Sequence, residues 1–462
     1  MSHSISDRQS AVSNPVDVGS VLNAAPWGPY QQWLVFLTAI TVVFDGIDNQ
    51  LLGIVIPTLM REWTVPRGAF APLVSLGYLG MMTGGALAGI AGDRFGRRTA
   101  LLASMAVFGA MTLAAASASG PAALGWLRLL AGIGLGGAIP NAAALAAEFV
   151  PLRQRPIAVT VTIVCVPLGA TIAGLLGLRV LPVLGWRLLF VAGGVIPLII
   201  AGLLLRLLPE SPRFLARHPA RWNELVRLLA RIGHPVDAAT RFTDSTERGV
   251  ERASIRALFN RDYRLDTFAL WAAFFSCLLA VYCGFSWLTS LLSGAGFSPS
   301  TANAGITAFN LGGVAAALLG GVAIARAGSR VSMLTMAAIA VISAIVLSQM
   351  TITPARGTFP VLALLTLLGG MINGVQTTMF ALAAHVYPGA VRATGVGTVV
   401  AFGRLGAILS GYAGSWAIGY QGSASFFALI GAAMLATFIA LAVVRRHVPA
   451  SNRYHSSLIP NP

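Results

Sequence analysis

Gly92-Asp93-Arg94-Phe95-Gly96-Arg97-Arg98 stands between two apolar stretches, 69–92 and 99–120, and is too short to be anything but a tight hairpin. Each flanking stretch has the ~20 residues that a helix needs to cross roughly 30 Å of hydrocarbon. The hairpin therefore joins two membrane spans on one side of a bilayer. Its charges read as a clasp: Asp93, near a helix end, can hold arginines or a neighbouring helix terminus in one conformation and release them in another. An ordinary basic loop would explain the arginines but not the acid or the two glycines.

The same pattern extends in both directions. Twelve spans are expected near 31–60, 69–92, 99–120, 122–147, 157–180, 187–208, 268–292, 303–325, 331–350, 359–387, 392–418 and 423–444. The composition agrees, with 56% hydrophobic and 10% charged residues against about 25% charged in soluble domains. The 51 glycines suit close helix contact in lipid.

A net charge of +16 could suggest nucleic acid, but the arginines form no soluble basic domain. They follow topology instead. With residue 1 in the cytoplasm, 24 of the 31 arginines fall on the cytoplasmic side, Arg61, Arg67, Arg179, Arg187 and Arg356 fall outside, and Arg128 and Arg404 lie within spans. That bias predicts both termini in the cytoplasm. The first 30 residues are polar, with Asp7, Arg8 and Asp17, so no cleaved signal peptide is expected. Cys165, Cys277 and Cys283 fall in spans without metal-ligand spacing and read as small apolar residues. Neither metal nor cofactor is expected.

The expected organisation is all-α: a cytoplasmic tail (1–30), a six-helix bundle (31–208), a cytoplasmic linker with amphipathic helices (209–267), a second six-helix bundle (268–444) and a cytoplasmic tail (445–462). The linker is arginine-rich with scattered Leu, Phe and Trp, which suits contact with anionic lipid. An internal repeat supports the two halves. Ala146-Ala147-Glu148-Phe149-Val150-Pro151 aligns with Ala383-Ala384-His385-Val386-Tyr387-Pro388 at an offset of 237, which also carries Arg155 onto Arg392. An offset of 232 sets the hairpin against Ile324-Ala325-Arg326-Ala327-Gly328-Ser329-Arg330. Repeated halves are the architecture of a rocking transporter with its site at the midplane.

Asp45, Asp48, Arg128 and Arg404 are the charges expected deep within spans. Each costs about 3 kcal/mol on insertion scales and so should face a partner or a wet cavity. Asp45 and Asp48, three residues apart, share a helical face. Arg128 is expected at a depth close to Asp48, and a pair within the first half would explain it. Arg404 lacks an evident acidic partner in the second half. The polar candidates for a ligand are Asn141, Asn303, Asn310, Asn373 and Gln376, because buried amides need partners. Tyr282 and Phe285 lead the aromatic candidates in span 7, with Tyr78 and Phe380 elsewhere. Glu148, Arg392 and the hairpin residues Gly92, Asp93, Arg94, Gly96, Arg97 and Arg98 are gating candidates.

The hairpin resembles the signature loop of the major facilitator superfamily. A narrower resemblance rests on Phe44-Asp45-Gly46-Ile47-Asp48 with Gly53 and Pro57, and on Arg128 ahead of Gly132-Ile133-Gly134-Leu135-Gly136-Gly137 and Pro140-Asn141. It continues in Asn373-Gly374-Val375-Gln376-Thr377, Tyr387-Pro388, Arg392-Ala393-Thr394-Gly395-Val396-Gly397 and Gly403-Arg404-Leu405-Gly406. Together these look like the aromatic acid:proton symporter family over about residues 30–445. Asn49-Gln50-Leu51-Leu52 departs from the smaller residues expected after the second aspartate.

The resemblance implies import of a benzoate-, hydroxybenzoate- or phenoxyacetate-like anion with protons through a bacterial inner membrane, by a protein working as a monomer. Asp45 and Asp48 would couple protons, and Arg404 and Arg128 would face substrate. An exporter of the same fold is the alternative, but exporters carry a Gly-Pro-x-x-Gly-Gly-like motif where span 5 reads Cys165-Val166-Pro167-Leu168-Gly169-Ala170-Thr171. A pure sensor would need an output module that the sequence lacks, so chemosensing would be additional to transport. No metal-binding histidine pair or activated serine in the spans suggests an enzyme.

Overall fold

In hydrocarbon every backbone polar group must be satisfied within its own segment, so the spanning parts of the chain are helices. The computed structural model describes residues 15–237, 240–244, 255–387 and 389–450. Pro388 lies outside the described residues, as do 1–14 and 451–462 of the two expected tails and 238–239 and 245–254 of the linker. In the first half, α1 (Val18–Ala24) precedes α2 (Pro29–Glu62), α3 (Ala71–Phe95), α4 (Arg97–Ala115), α5 (Pro121–Phe149) and α6 (Arg155–Leu207). Short α7 (Pro212–Ala216) and α8 (Trp222–Arg231) follow. The second half holds α9 (Arg264–Gly294), α10 (Pro299–Gln349), α11 (Thr358–Val386), α12 (Gly389–Gln421) and α13 (Ser423–Val443).

Eleven helical stretches among the described residues are long and apolar enough to cross a bilayer. One of them, Ile157–Leu207, makes two crossings because it turns back at Gly185, so the crossings number twelve. Gly185 (φ 74°) and Gly328 (φ 80°) break α6 and α10 in the same way. Both take a left-handed conformation that only glycine adopts freely. The hairpin Gly92–Arg98 lies on the face that also carries Arg155, Leu207, Arg264, Gly328 and Val443, here called the tail face.

Helices cross closely where side chains vanish. A Cβ on Gly132 of α5 would strike the Gly77 carbonyl and Gly80 of α3, and one on Gly46 of α2 would strike the Val166 carbonyl of α6. Without a hydrophobic drive inside lipid, this backbone contact is a main source of helix adhesion.

On the tail face a small pad covers the first half. Strand β1 (Val16–Asp17) pairs in parallel with β2 (Phe242–Thr243), and Val16 N donates to Arg241 O at 2.8 Å. Asp17 caps α1 by accepting from Ser20 N at 3.0 Å. Amphipathic α8 turns Leu225, Leu228 and Leu229 inward, where Leu22 and Phe242 are also buried. Strands of two residues carry no periodic signal, so nothing in the sequence foreshadows β1 and β2.

Candidate substrate and proton site

Asp45 and Arg404 lie about 22–24 Å along their helices from the tail face, counting about 1.5 Å per residue, and Asp48 one turn deeper at about 28 Å, which places all three near the middle of the bilayer. Asp48 and Arg128 form a closed ion pair. Arg128 Nη1 donates to Asp48 Oδ2 at 2.9 Å and Nη2 to Oδ1 at 3.2 Å, while Thr112 Oγ1 donates to Oδ1 at 2.5 Å. The Phe190 ring lies 5.1 Å from the guanidinium carbon. Arg128 is 5% exposed and Asp48 1%, so the pair is desolvated and locks α2, α4 and α5 together. Removing one partner of such a pair costs about 3–5 kcal/mol because a buried charge is left alone. Arg128→Met is therefore expected to lower the melting temperature in detergent sharply, and Asp48→Asn added to it to restore most of the loss.

Asp45 differs. It is fully buried, and its Oδ2 accepts only a long bond from Asn49 Nδ2, at 3.3 Å. Its Oδ1 has no hydrogen-bond partner among the described residues. The positive charge of Arg404, from the other half, acts on it through space. Arg404 is half-buried and donates from Nη1 to Tyr282 OH at 2.9 Å. No acid lies within ion-pair distance of it among the described residues. Donors thus remain free on the guanidinium, which can bind a carboxylate through two parallel bonds.

Aromatic walls stand beside it. The Tyr78 and Tyr282 rings are 4.4 Å apart, Phe285 meets Tyr282 edge-on at 5.8 Å, and Phe309 meets Phe285 at 6.3 Å. A cavity of about 30 Å³ lies on the Asp48–Arg128 side of Tyr78, lined in part by Asp48, Asn49, Tyr78, Met81, Arg128 and Ser286. That is room for one or two waters.

The two halves are stitched from the level of Arg404 towards the face away from the tails. Gln50 Nε2 donates to Phe285 O at 2.9 Å, and Asn310 Nδ2 donates to Gln50 Oε1 at 3.1 Å. Tyr78 OH and Ser286 Oγ are 2.8 Å apart, Arg67 Nε donates to Ser290 Oγ at 3.0 Å, and Ser75 Oγ donates to Ile408 O at 2.7 Å. Gln50 is a site residue that sequence reasoning passed over; its departure from the family pattern was the available signal.

The other candidates separate. Asn310 reaches the seam through Gln50, with its Oδ1 unpartnered among the described residues. Asn373 turns back to Gly369 O at 2.8 Å and packs on Gly313, within the second half. Gln376 lies one turn further along α11, half-buried. Asn303 sits by Gly177 at the seam. Asn141 is not beside Arg404: its Nδ2 donates to Gly137 O at 2.9 Å, and its Oδ1 lies against Gly92.

Around Gly92 the gating candidates gather. Arg97 Nη2 donates to Asp93 Oδ1 at 2.5 Å, and Arg97 Nε is 4.0 Å from Glu148 Oε1. Glu148 also bonds Ser211 Oγ, and Arg98 bonds Leu205 O. Arg94 lies over the Phe95 ring. Gly96 is pressed by Glu210, a buried acid beyond α6 that the sequence reading missed; Arg98 N donates to its Oε1 at 2.9 Å. Arg392 is separate, its Nε donating to Tyr387 O at 3.2 Å.

Two stitched six-helix halves with a charged, aromatic-walled midplane define a secondary transporter. The comparisons specify it further. The sequence pattern of the Major Facilitator Superfamily matches residues 38–353. The gallate transporter of Pseudomonas putida is 34% identical over 431 residues, covering 93% of this chain and 95% of the relative. The 4-hydroxybenzoate transporter PcaK of Pseudomonas putida is 35% identical, covering 89% of this chain and 91% of the relative. The inward-open xylose transporter XylE of E. coli superposes with a TM-score of 0.71 at 17% identity, covering 90% of this chain and 97% of that one, and shares the fold. The chain belongs to the major facilitator superfamily and, within it, to the aromatic acid:proton symporter family.

Proposed function

We propose that this multi-pass membrane protein imports an aromatic carboxylate, of the benzoate, hydroxybenzoate or phenoxyacetate type, together with protons. The observation that carries the reading is Arg404, a cation deep in the second half with donors to spare, bonded to Tyr282, whose ring meets that of Phe285. The names of the gallate and 4-hydroxybenzoate relatives agree with such a cargo. Arg404 receives the carboxylate, Tyr282 orients the guanidinium, and the rings of Tyr282 and Phe285 flank the substrate ring. Asn310, Asn373 and Gln376 offer polar contacts from the second half.

Of the two aspartates, Asp45 is the better proton acceptor, because Asp48 is already saturated by Arg128 and Thr112. Asn141 serves the gating hairpin with Asp93, Arg97 and Glu148. The seam bonds through Gln50, Tyr78 and Arg67 close one face, so substrate leaves towards the tail face in this state. The protein works as a monomer in the bacterial inner membrane, both termini cytoplasmic, with linker arginines against anionic lipid.

A panel of labelled aromatic acids offered to proteoliposomes under an imposed pH gradient tests the reading: at least one acid should accumulate, with protons entering alongside. Accumulation without proton entry would remove the symport. Reporters fused after residue 450 should read cytoplasmic; a periplasmic signal would overturn the topology.

A further inference from the structure

Both hairpins on the tail face are held by the segment that follows the last helix of their own half. In the first half Glu210, three residues past the end of α6, accepts from Arg98 N at 2.9 Å and from Thr99 Oγ1 at 3.3 Å. The offset of 237 that relates the halves carries residue 210 onto His447, four residues past the end of α13. His447 also meets a hairpin. Its Nδ1 lies 3.1 Å from Ser329 Oγ, beside the left-handed Gly328 that echoes Gly96.

The contact is built from several bonds. Ser329 N donates to Val448 O at 2.9 Å, and Val448 N donates to Ser329 Oγ at 2.8 Å. Arg445 N donates to Asp266 Oδ1 at 2.7 Å, tying the same segment to the start of α9. Three helices of the second half, α9, α10 and α13, are thereby braced on one face. Where the first half uses a carboxylate with a low ordinary pKa, the second uses an imidazole, the side chain that titrates nearest neutrality.

We propose that residues 444–450 are a latch on the second hairpin, and that His447 is the contact through which acid on the tail face releases it. His447 Nε2 lies 3.2 Å from Leu441 O. A carbonyl can only accept, so Nε2 carries the hydrogen and Nδ1 accepts from the Ser329 hydroxyl. Protonation makes Nδ1 a second donor, forces the Ser329 hydrogen away, and adds a positive charge.

The charged groups facing His447 are Arg330 of α10 and Asp266 of α9, with Arg446 on its own segment and 3.9 Å from Asp266. Burial holds the His447 pKa below the ordinary imidazole value; the Leu441 carbonyl opposes this, Arg330 reinforces it, and Asp266 opposes it. A depressed pKa means that the latch is fully stable above the free-histidine value of about 6.5 and weakens as pH falls below it. If the protein carries protons inward, its own transport acidifies the face on which the latch sits.

Hydrogen exchange of the full-length protein in lipid vesicles tests the latch without any transport measurement, so a failed symport reading and a failed latch are distinguishable. Protection of peptides containing Ser329 and Val448, corrected for intrinsic exchange, should fall between pH 7.5 and 5.5. The drop should reach at most about tenfold, because pH 5.5 lies one unit below the released imidazole's value of about 6.5. His447→Gln should be flat across that range, and His447→Arg poorly protected throughout. Asp266→Asn should keep the step. Equal protection at both pH values in the wild type overturns the proposal, as does a step that survives in His447→Gln or vanishes in Asp266→Asn. The wild-type comparison decides even where a variant fails to assemble.

Discussion

Asp45→Asn is expected to leave a protein that lets an aromatic acid equilibrate across a membrane but no longer concentrates it. With Asp45, Asp48, Arg128 and Arg404 ionised, the four deep charges sum to zero, and a bound carboxylate leaves one negative charge in a poorly hydrated site. A proton restores neutrality, and Asp45, with an oxygen that has no donor, is where it can go. Asparagine keeps the shape but cannot take up and release a proton. One proton per monoanion would make transport electroneutral, whereas two would add about 2.3 kcal/mol of drive per 100 mV. Uptake into proteoliposomes with an internal pH dye reads both fluxes. Gradient-driven accumulation by Asp45→Asn at the wild-type level would exclude Asp45 as the coupling residue. Asp48→Asn should also lose transport, by a different route: it strips Arg128 of its counter-charge, so folded yield and melting temperature should fall with activity.

Arg404→Lys should weaken substrate binding by about 10- to 100-fold, the value of one charge-assisted hydrogen bond of roughly 1.5–3 kcal/mol. Arginine can hold Tyr282 OH with one nitrogen and grip a carboxylate with others; an ammonium is a point donor on a flexible stem. Tyr282→Phe should cost less, because it removes only the group that aims the guanidinium. Binding of the best substrate, measured by calorimetry in detergent, separates the two. Unchanged affinity in Arg404→Lys would take Arg404 out of the site.

The parts of the site that were legible in the sequence are those whose cost in hydrocarbon is large. Asp45, Asp48, Arg128 and Arg404 stand out in apolar spans because a charge there needs a reason, and even the pairing of Arg128 with Asp48 followed from their similar depth. The halves were legible because Glu148 and His385 sit in aligned contexts. The seam was not. Gln50 and Asn310 are neutral amides 260 residues apart, and nothing local marks one as the partner of the other. Asn141 has the composition of a ligand, yet helix α5 delivers it to the hairpin because it lies only eight residues from the tail-face end at Phe149. Glu210 escaped notice because an acid just outside a span is unremarkable until the turn it caps is seen.

During synthesis Val16 and Asp17 leave the ribosome more than 200 residues ahead of Phe242 and Thr243, the segment they pair with. The first strand must therefore wait while α2–α6 enter the bilayer, and it closes when the chain beyond α8 emerges. Its closure reports that the first six crossings are in place, at a moment when α10 to α13 have yet to be made. Domains of long chains generally assemble in that order, N-terminal first. Here the pad ties the start of the chain to the middle, so the first half is sealed before a second half exists to compete for its helices.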